Sequence, residues 1–276
     1  MGLRITSLME NTAAGDHLIC EAGMSLLIEY AGKSILVDTG AGPGFMENAK
    51  ALGKDLSKLD YVILSHGHGD HGGGFRALTE GCGNRHQLII SPYFFERKYR
   101  RFGDVIRYIG NDFSAEYTQE KKTGVIYPMA ETYAFEQGAY LLSAIASANA
   151  FEDEPHDFLV CRGGEYVPDL FREEVFPVFD LPDGLIVVAG CGHRGAANIC
   201  EAAKARLKKP VRALIGGLHL RDSSLERVSE TVSYLRGEGI ALLATGHCNG
   251  DMAGPMLAQA AAEVLPLSSG TVIEFS

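Results

Sequence analysis

The chain has 276 residues, of which 46% are hydrophobic and 22% are charged, and its formal net charge is -10. This length favours one large domain or two small ones, and it can bury a substantial core without disulfide bonds. The acidic balance argues against general binding to nucleic acid, which depends on lysine and arginine side chains against phosphate.

Apolar runs and turn residues predict strands and helices along the chain. In the first third they indicate strands at 3–8, 24–30, 33–38, 60–65 and 87–91, and helices at 44–52 and 72–80. In the last third they indicate strands at 185–190, 211–217, 240–246 and 271–275, and helices at 196–207, 224–236 and 252–262. The stretch between them, about 92–170, is rich in aromatic and charged residues, and we expect a helical insertion that caps the site. This order of elements predicts a layered α/β architecture in a single domain spanning 1–276.

The cysteines and the hydropathy pattern bear on location. The six cysteines are widely scattered and none forms a CxxC pair, so we expect reduced thiols in a cytosolic protein. Cys191 and Cys248 each lie within two residues of a histidine, and each is either a metal ligand or a small buried residue beside the site. The N-terminal residues lack the apolar run of a signal peptide, and no stretch reaches the ~18 apolar residues of a membrane span. The expected location is therefore the cytoplasm, with no membrane partner.

One short segment, ILSHGHGDHGGG at residues 63–74, carries most of the chemistry. It places His66, His68, Asp70 and His71 directly after a buried strand-like run, where loops at strand ends allow ligands to converge. Imidazole suits zinc, iron, nickel and copper, and carboxylate is a harder oxygen donor. The pattern predicts a metal site, and the alternative is a set of exposed loop histidines.

Other strand-like runs also end in polar residues that suit a metal site. His193 and His247 each follow such a run and are predicted to complete the ligand set, the alternative for His193 being a lone polar residue on a turn. His219 is a ligand, a substrate contact, a proton donor or a packed histidine. Asp38 either accepts the free ring N–H of a ligand histidine or is a plain turn residue.

The order of these residues resembles the metallo-β-lactamase superfamily, and the resemblance spans most of the chain. The finer match is to a subgroup described as 7,8-dihydropterin-6-methyl-4-(β-D-ribofuranosyl)aminobenzene-5′-phosphate synthase-like. The strings that carry this match are EAGMSLLIEY (21–30), LVDTG (36–40), LSHGHGDHGGG (64–74), AGCGHRGAANI (189–199), IGGLHL (215–220) and TGHCNG (245–250). The resemblance implies an αββα sandwich, the metallo-β-lactamase fold, in which two mixed sheets lie between outer helices.

The resemblance also implies a centre of two divalent metal ions, most often zinc, with iron or manganese as alternatives. The implied ligand set is His66, His68 and His193 for one ion and Asp70, His71 and His247 for the other. Many superfamily members carry a bridging aspartate between the third and last histidines, whereas this chain reads LIGGLHL there. Either His219 or a water takes the place of that carboxylate.

The implied function is that of a metal-dependent hydrolase or transferase, in which a metal-bound hydroxide acts on a phosphorylated or pterin-like small molecule. Asp70 and His219 are the predicted catalytic residues, and the arginine- and tyrosine-rich segment 93–108 is expected to bind a phosphate or an aromatic ring. The alternatives are a phosphodiesterase or lactonase on the same scaffold and a non-catalytic metal-containing binding or sensor protein. The expected partner is a small-molecule substrate rather than nucleic acid, and a homodimer is left open.

Overall fold

The computed structural model describes residues 2–152 and 157–276, which divide into two compact units. The first unit comprises residues 2–128, 157–173 and 268–276 of the described chain. The second comprises residues 129–152 and 174–267. The prediction of a single domain stays a prediction.

The first unit contains a seven-stranded mixed sheet in the order β18-β1-β2-β3-β4-β5-β8. Its strands are β1 (Leu3–Met9), β2 (Ser25–Tyr30), β3 (Lys33–Val37), β4 (Tyr61–Ile63), β5 (Gln87–Ile89), β8 (Gly124–Ile126) and β18 (Val272–Phe275). Its helices are α1 (Gly44–Ala51), α2 (Gly69–Gly72), α3 (Phe75–Cys82) and α4 (Ala115–Glu120), with a 3-10 turn at Leu56–Lys58. Strands β3, β4, β5 and β8 run parallel, so the segments that follow β3 and β4 leave the sheet at the same edge.

A smaller, four-stranded antiparallel sheet also belongs to the first unit, in the order β12-β11-β6-β7. Its strands are β6 (Lys98–Phe102), β7 (Val105–Tyr108), β11 (Phe158–Arg162) and β12 (Glu165–Pro168). Strands β6 and β7 form a hairpin that turns at Gly103, whose φ of 58° lies in the region that favours glycine. This sheet lies within the stretch predicted to be a helical insertion.

The helical prediction for 92–170 is therefore wrong for the residues that the structure describes. Seven strands lie in this stretch: β6, β7, β8, β11 and β12, together with β9 (Thr132–Glu136) and β10 (Ala139–Leu142). Its helix, α4, is only six residues long. The aromatic and β-branched residues of this stretch favour strands, and the Gly103–Asp104 pair supplies a turn. Residues 153–156 of the stretch lie outside the described residues, and its capping role stays a prediction.

The second unit contains the other seven-stranded mixed sheet, in the order β17-β16-β15-β14-β13-β10-β9. Its strands are β9 (Thr132–Glu136), β10 (Ala139–Leu142), β13 (Phe176–Leu181), β14 (Gly184–Ala189), β15 (Val211–Gly216), β16 (Leu242–Thr245) and β17 (Glu263–Pro266). Its helices are α5 (Ala196–Leu207), α6 (Leu225–Gly237) and α7 (Gly250–Leu257). Strands β14 to β17 run parallel, and every residue of β14 is buried, as expected where helices cover such a sheet.

The expected α/β architecture, with two mixed sheets and flanking helices, is confirmed. Across the described ranges, none of the helices combines the length and the apolar character that crossing a membrane requires.

Candidate metal centre

In the first unit, Asp38 organises the edge of the sheet from which the histidine motif emerges. Strands β3 and β4 pair in register at Val37 and Ile63, so Asp38 leaves the sheet next to Leu64 and within reach of Ser65. The fully buried Asp38 carboxylate accepts hydrogen bonds from the Ser65 backbone N–H and side-chain hydroxyl, both at 2.7 Å. It also lies 2.7 Å from Nδ1 of His71. Asp38 therefore orients the imidazole and is not a plain turn residue.

This contact determines which nitrogen of the His71 ring is available to bind a metal ion. A carboxylate only accepts hydrogen bonds, so in the neutral ring Nδ1 of His71 carries the proton and Nε2 keeps its lone pair. Burial by itself lowers the pKa of His71, but the charges of Asp38 and Asp70 and the hydrogen bond to Asp38 outweigh it. In the protein without metal, the pKa of His71 is therefore raised above its ordinary value. The surroundings of this ring suit a positive charge.

The three motif histidines lie close together in the first unit and are all buried. Nε2 of His66 lies 3.1 Å from Nδ1 of His68, and the ring centroids of His66 and His71 are 4.2 Å apart. Asp70 lies in the first turn of α2, between His68 and His71 in sequence. Buried imidazole nitrogens that face one another suit a shared cation, and a neighbouring carboxylate adds a harder donor. This donor set fits a divalent transition metal.

Close backbone packing explains the glycines that end the motif. The carbonyl of His71 accepts hydrogen bonds from the backbone N–H of Thr39, at 2.6 Å, and from its hydroxyl, at 3.1 Å. A Cβ atom on Gly74 would collide with the carbonyl oxygens of Thr39 and Gly42. Only glycine allows these two turns to approach so closely.

A buried ionic cluster, which the sequence analysis did not identify, supports the same loop. Nζ of Lys98 lies 2.9 Å from Asp169 and 2.6 Å from Glu173, and all three side chains are almost completely buried. A Cβ atom on Gly67 would lie 3.2 Å from Cε of Lys98, so the lysine stem packs against the turn between His66 and His68. Burial by itself lowers the pKa of Lys98, but the two carboxylates raise it above its ordinary value. Burial also raises the pKa of Glu173.

In the second unit, three parallel strands each lead into a loop that carries a histidine. Ala189, Gly216 and Thr245 are aligned across β14, β15 and β16, so these loops begin at one edge of the sheet. The loops carry His193, His219 and His247. The ring centroids of His193 and His219 are 4.1 Å apart.

Hydrogen bonds connect these three loops to one another. Sγ of Cys248 accepts a hydrogen bond from the His219 backbone N–H at 3.2 Å and donates one to the Cys191 carbonyl at 3.3 Å. Asn249 accepts a hydrogen bond from the Leu218 backbone N–H at 3.0 Å. Within the second unit, Cys248 thus has a supporting role that its position beside a histidine did not reveal.

Glu174, also missed at the sequence level, holds the loop of His193. Its carboxylate accepts hydrogen bonds from the backbone N–H groups of His193 and Arg194, both at 2.9 Å, and the side chain is almost completely buried. The sequence offered one sign of this role, the string REEVF, in which two adjacent acidic residues precede an apolar run.

The missing bridging carboxylate has a steric explanation in the second unit. A Cβ atom on Gly217 would lie 2.5 Å from Sγ of Cys248 and 2.6 Å from the carbonyl oxygen of Gly190. Gly216 is also closed to a side chain, because its φ is 117° and a Cβ atom would collide with the carbonyl oxygen of Ala189. The glycines of LIGGLHL therefore leave no room for an aspartate.

Strained backbone coincides with several of the predicted site residues. Asp38, His219 and His247 have φ values of 59°, 49° and 37°, in a region that non-glycine residues rarely adopt. Such conformations cost of order 1–3 kcal/mol each and tend to occur at functional sites. The strain therefore supports a functional role for these positions.

The comparisons with known proteins agree with this geometry. The metallo-beta-lactamase superfamily model matches residues 18–247, well over half of the chain, so the chain belongs to the metallo-beta-lactamase superfamily. The resemblance inferred from the motifs is confirmed.

Three individual proteins are similar to this chain over most of its length. The 7,8-dihydropterin-6-methyl-4-(beta-D-ribofuranosyl)-aminobenzene-5'-phosphate synthase of Methanocaldococcus jannaschii is 28% identical over 269 residues, which cover 92% of this chain and 90% of that protein. The crystal structure of Tm1679, a metal-dependent hydrolase of the beta-lactamase superfamily, matches with a TM-score of 0.87 at 26% identity and covers 99% of both chains. YhfI from Bacillus subtilis matches with a TM-score of 0.59 at 15% identity over the whole of both chains, and it shares the fold.

Proposed function

We propose that this protein is a metal-dependent hydrolase or transferase that acts on a phosphorylated or pterin-like small molecule. The observation that carries the proposal is the convergence of three buried imidazoles from one short segment, with His71 oriented by Asp38. Membership of the superfamily supports it, and so does the similarity to a synthase whose name describes a phosphorylated pterin compound.

The family's ligand order suggests how the metal is held. The proposed ligands of two divalent ions, zinc first with iron or manganese as alternatives, are His66, His68, Asp70, His71, His193 and His247. When bound, such ions lower the pKa of water towards neutrality and polarise phosphoryl or carbonyl oxygens.

The residues of this chain supply the proton transfers and the positioning. Asp70 orients the attacking water and accepts its proton, and His219 donates a proton to the leaving group. Asp38 keeps the proton of His71 on Nδ1, so that Nε2 points away from the carboxylate. The proposed partner is a small-molecule substrate, and neither nucleic acid nor a membrane is required.

Metal analysis combined with a substrate screen tests the proposal. The double variant His66→Ala/His68→Ala should lose bound metal and turnover of phosphomonoesters, phosphodiesters or lactones. The matched control His17→Ala removes an exposed histidine outside the motif and should keep both.

Two outcomes would contradict the proposal. Wild-type metal content in the double variant would exclude the site. A metal-loaded wild type that turns over none of the three substrate classes would exclude the hydrolase and favour the transferase or a binding or sensor protein. Turnover of lactones or phosphodiesters alone would replace the proposed substrate class with the alternative one.

A further inference from the structure

A row of aromatic and arginine side chains extends from His68 along one face of the four-stranded sheet. Phe158 pairs with Arg100, and Arg100 pairs with Arg107, so these three side chains lie on the same face of β11, β6 and β7. The His68 ring stacks on Phe158 at a centroid distance of 5.3 Å and an angle of 22°. The row therefore begins at a candidate metal ligand.

Cation–π contacts continue the row towards solvent. The guanidinium carbon of Arg100 lies 4.8 Å from the ring centroid of Phe158 and 5.3 Å from that of Phe102. The guanidinium carbon of Arg107 lies 5.6 Å from the same Phe102 ring. Phe102 is 47% exposed, although it lies between two cations. We call Phe158, Arg100, Phe102 and Arg107 the arginine row.

The charges of the row are only partly balanced. Arg100 pairs with Asp157 at 2.6 Å, but within residues 2–152 and 157–276 Arg107 forms no ion pair with a carboxylate. Like charges placed directly opposite each other on a sheet are destabilising. In a chain with a net charge of -10, the guanidinium of Arg107, which faces a second arginine on the sheet, indicates a place for an anion in a row that leads to a candidate metal ligand.

We propose that the arginine row binds the anionic group of the substrate, and that this substrate is a small phosphate ester with an aromatic or similarly planar ring. A guanidinium matches a phosphate with two parallel hydrogen bonds, and the exposed Phe102 ring offers a stacking surface. Identifying this ligand with the substrate rests on the function proposed above, whereas binding to the row does not.

The direct test measures binding of phenyl phosphate to the full-length protein by titration calorimetry. Arg107→Met should weaken binding about tenfold, the loss expected for one charge-assisted hydrogen-bonding group. Arg101→Met is the matched control, because Arg101 is also an exposed arginine and lies on the opposite face of β6. The affinity of this variant should stay within about twofold of wild type. Phe102→Ala should weaken phenyl phosphate and leave inorganic phosphate unchanged.

The same measurements can overturn the proposal. Equal losses of phenyl phosphate affinity in the Arg107→Met and Arg101→Met variants would show unspecific attraction to positive charge. Tighter binding of a single-stranded oligonucleotide than of phenyl phosphate would identify a different ligand class. Thermal melting of each variant checks that it is folded. If the arginine row binds the anionic group, reversal of the charge in Arg107→Glu should abolish binding of phenyl phosphate.

Binding and turnover separate this inference from the proposed function. If the variants show the expected binding pattern but no phosphate ester is turned over, the hydrolase proposal fails and the row stands. If phosphate esters are turned over while Arg107→Met binds phenyl phosphate as the wild type does, the row fails and the hydrolase proposal stands.

Discussion

Oδ2 of Asp38 lies 2.7 Å from Nδ1 of His71, although the two residues are separated by 33 positions in sequence. Both side chains are fully buried, and the same carboxylate also binds Ser65. One buried acidic group therefore fixes both the path of the motif loop and the tautomer of a candidate ligand.

The first prediction concerns this contact. In Asp38→Asn, the amide N–H₂ group can face Nδ1 of His71 and force the ring proton onto Nε2, which removes the lone pair available to a metal. We expect metal affinity to fall about 10- to 100-fold, the usual effect of losing such a partner. Competition against a chromophoric chelator measures this affinity.

Asp60→Asn is the control, because Asp60 lies at the partly exposed edge of the same unit and pairs with Lys33. It should bind metal as the wild type does. Equal affinities for the two variants would show that Asp38 does not orient a ligand.

The second prediction concerns the buried lysine. Lys98→Met leaves the carboxylates of Asp169 and Glu173 buried without their cation, so we expect a loss of about 3–5 kcal/mol in the free energy of unfolding. Lys33→Met breaks an ion pair whose side chains are 37% and 33% exposed, and it should cost at most about 1 kcal/mol. Urea unfolding followed by circular dichroism compares the two variants.

A further substitution tests the cause of that loss. Adding Glu173→Gln to Lys98→Met removes one of the two uncompensated charges and should recover part of the stability. If Lys98→Met cost no more than Lys33→Met, the cluster would contribute nothing beyond a surface pair.

The third prediction concerns Gly217, at the place where the family resemblance led us to look for a bridging carboxylate. Gly217→Ala places a Cβ atom against Cys248 and Gly190, so it should destabilise the protein by about 1–3 kcal/mol. Gly237→Ala is the matched control at the end of α6, where a Cβ atom meets nothing, and it should be neutral or slightly stabilising. Thermal unfolding distinguishes them.

Gly217→Asp extends this test to the metal. The added carboxylate has no room beside Cys248, so the variant should lose stability without an increase in bound metal per chain. A stable variant with more bound metal would show that the loop rearranges and that the steric explanation is wrong.

Local pattern was sufficient to predict much of this fold. Helix α5 was predicted at 196–207, the range at which it is observed, and the strand before the histidine motif was predicted at 60–65 and observed at Tyr61–Ile63. These elements carry their own signals in apolar runs and turn residues. The histidine motif was recognisable for the same reason, because its four candidate ligands lie within six residues.

Long-range contacts were not predictable in this way. Lys98 and Asp169 are separated by 71 positions, and a lysine in an aromatic, arginine-rich strand gives no sign that it is buried. The role of Asp38 became definite only when pairing of β3 with β4 brought it within hydrogen-bond distance of Ser65 and His71. The stretch 92–170 was assigned the wrong secondary structure because its alternation is short and its strands depend on partners far along the chain.

The last prediction concerns pH and a histidine outside the proposed ligand set. Burial lowers the pKa of His86 from 6.5 to about 4. Its side chain packs against Phe75, and its Nε2 has no hydrogen-bond partner among the described residues. The folded protein therefore holds His86 neutral at pH values where the unfolded chain protonates it. The contribution of neutral His86 to the free energy of unfolding is complete above about pH 6.5. It is lost as the pH falls towards 4, and the total loss is about 3 kcal/mol.

His86→Leu removes this titration while keeping an apolar side chain in the core. The free energy of unfolding of the variant minus that of the wild type should increase by about 3 kcal/mol when the pH is lowered from 7.5 to 4. Urea unfolding of both metal-free proteins at several pH values measures the difference, and the titrations of the other histidines, which both proteins share, cancel in it. A difference that stays constant over this range would mean that His86 is protonated as easily in the folded protein as in the unfolded chain.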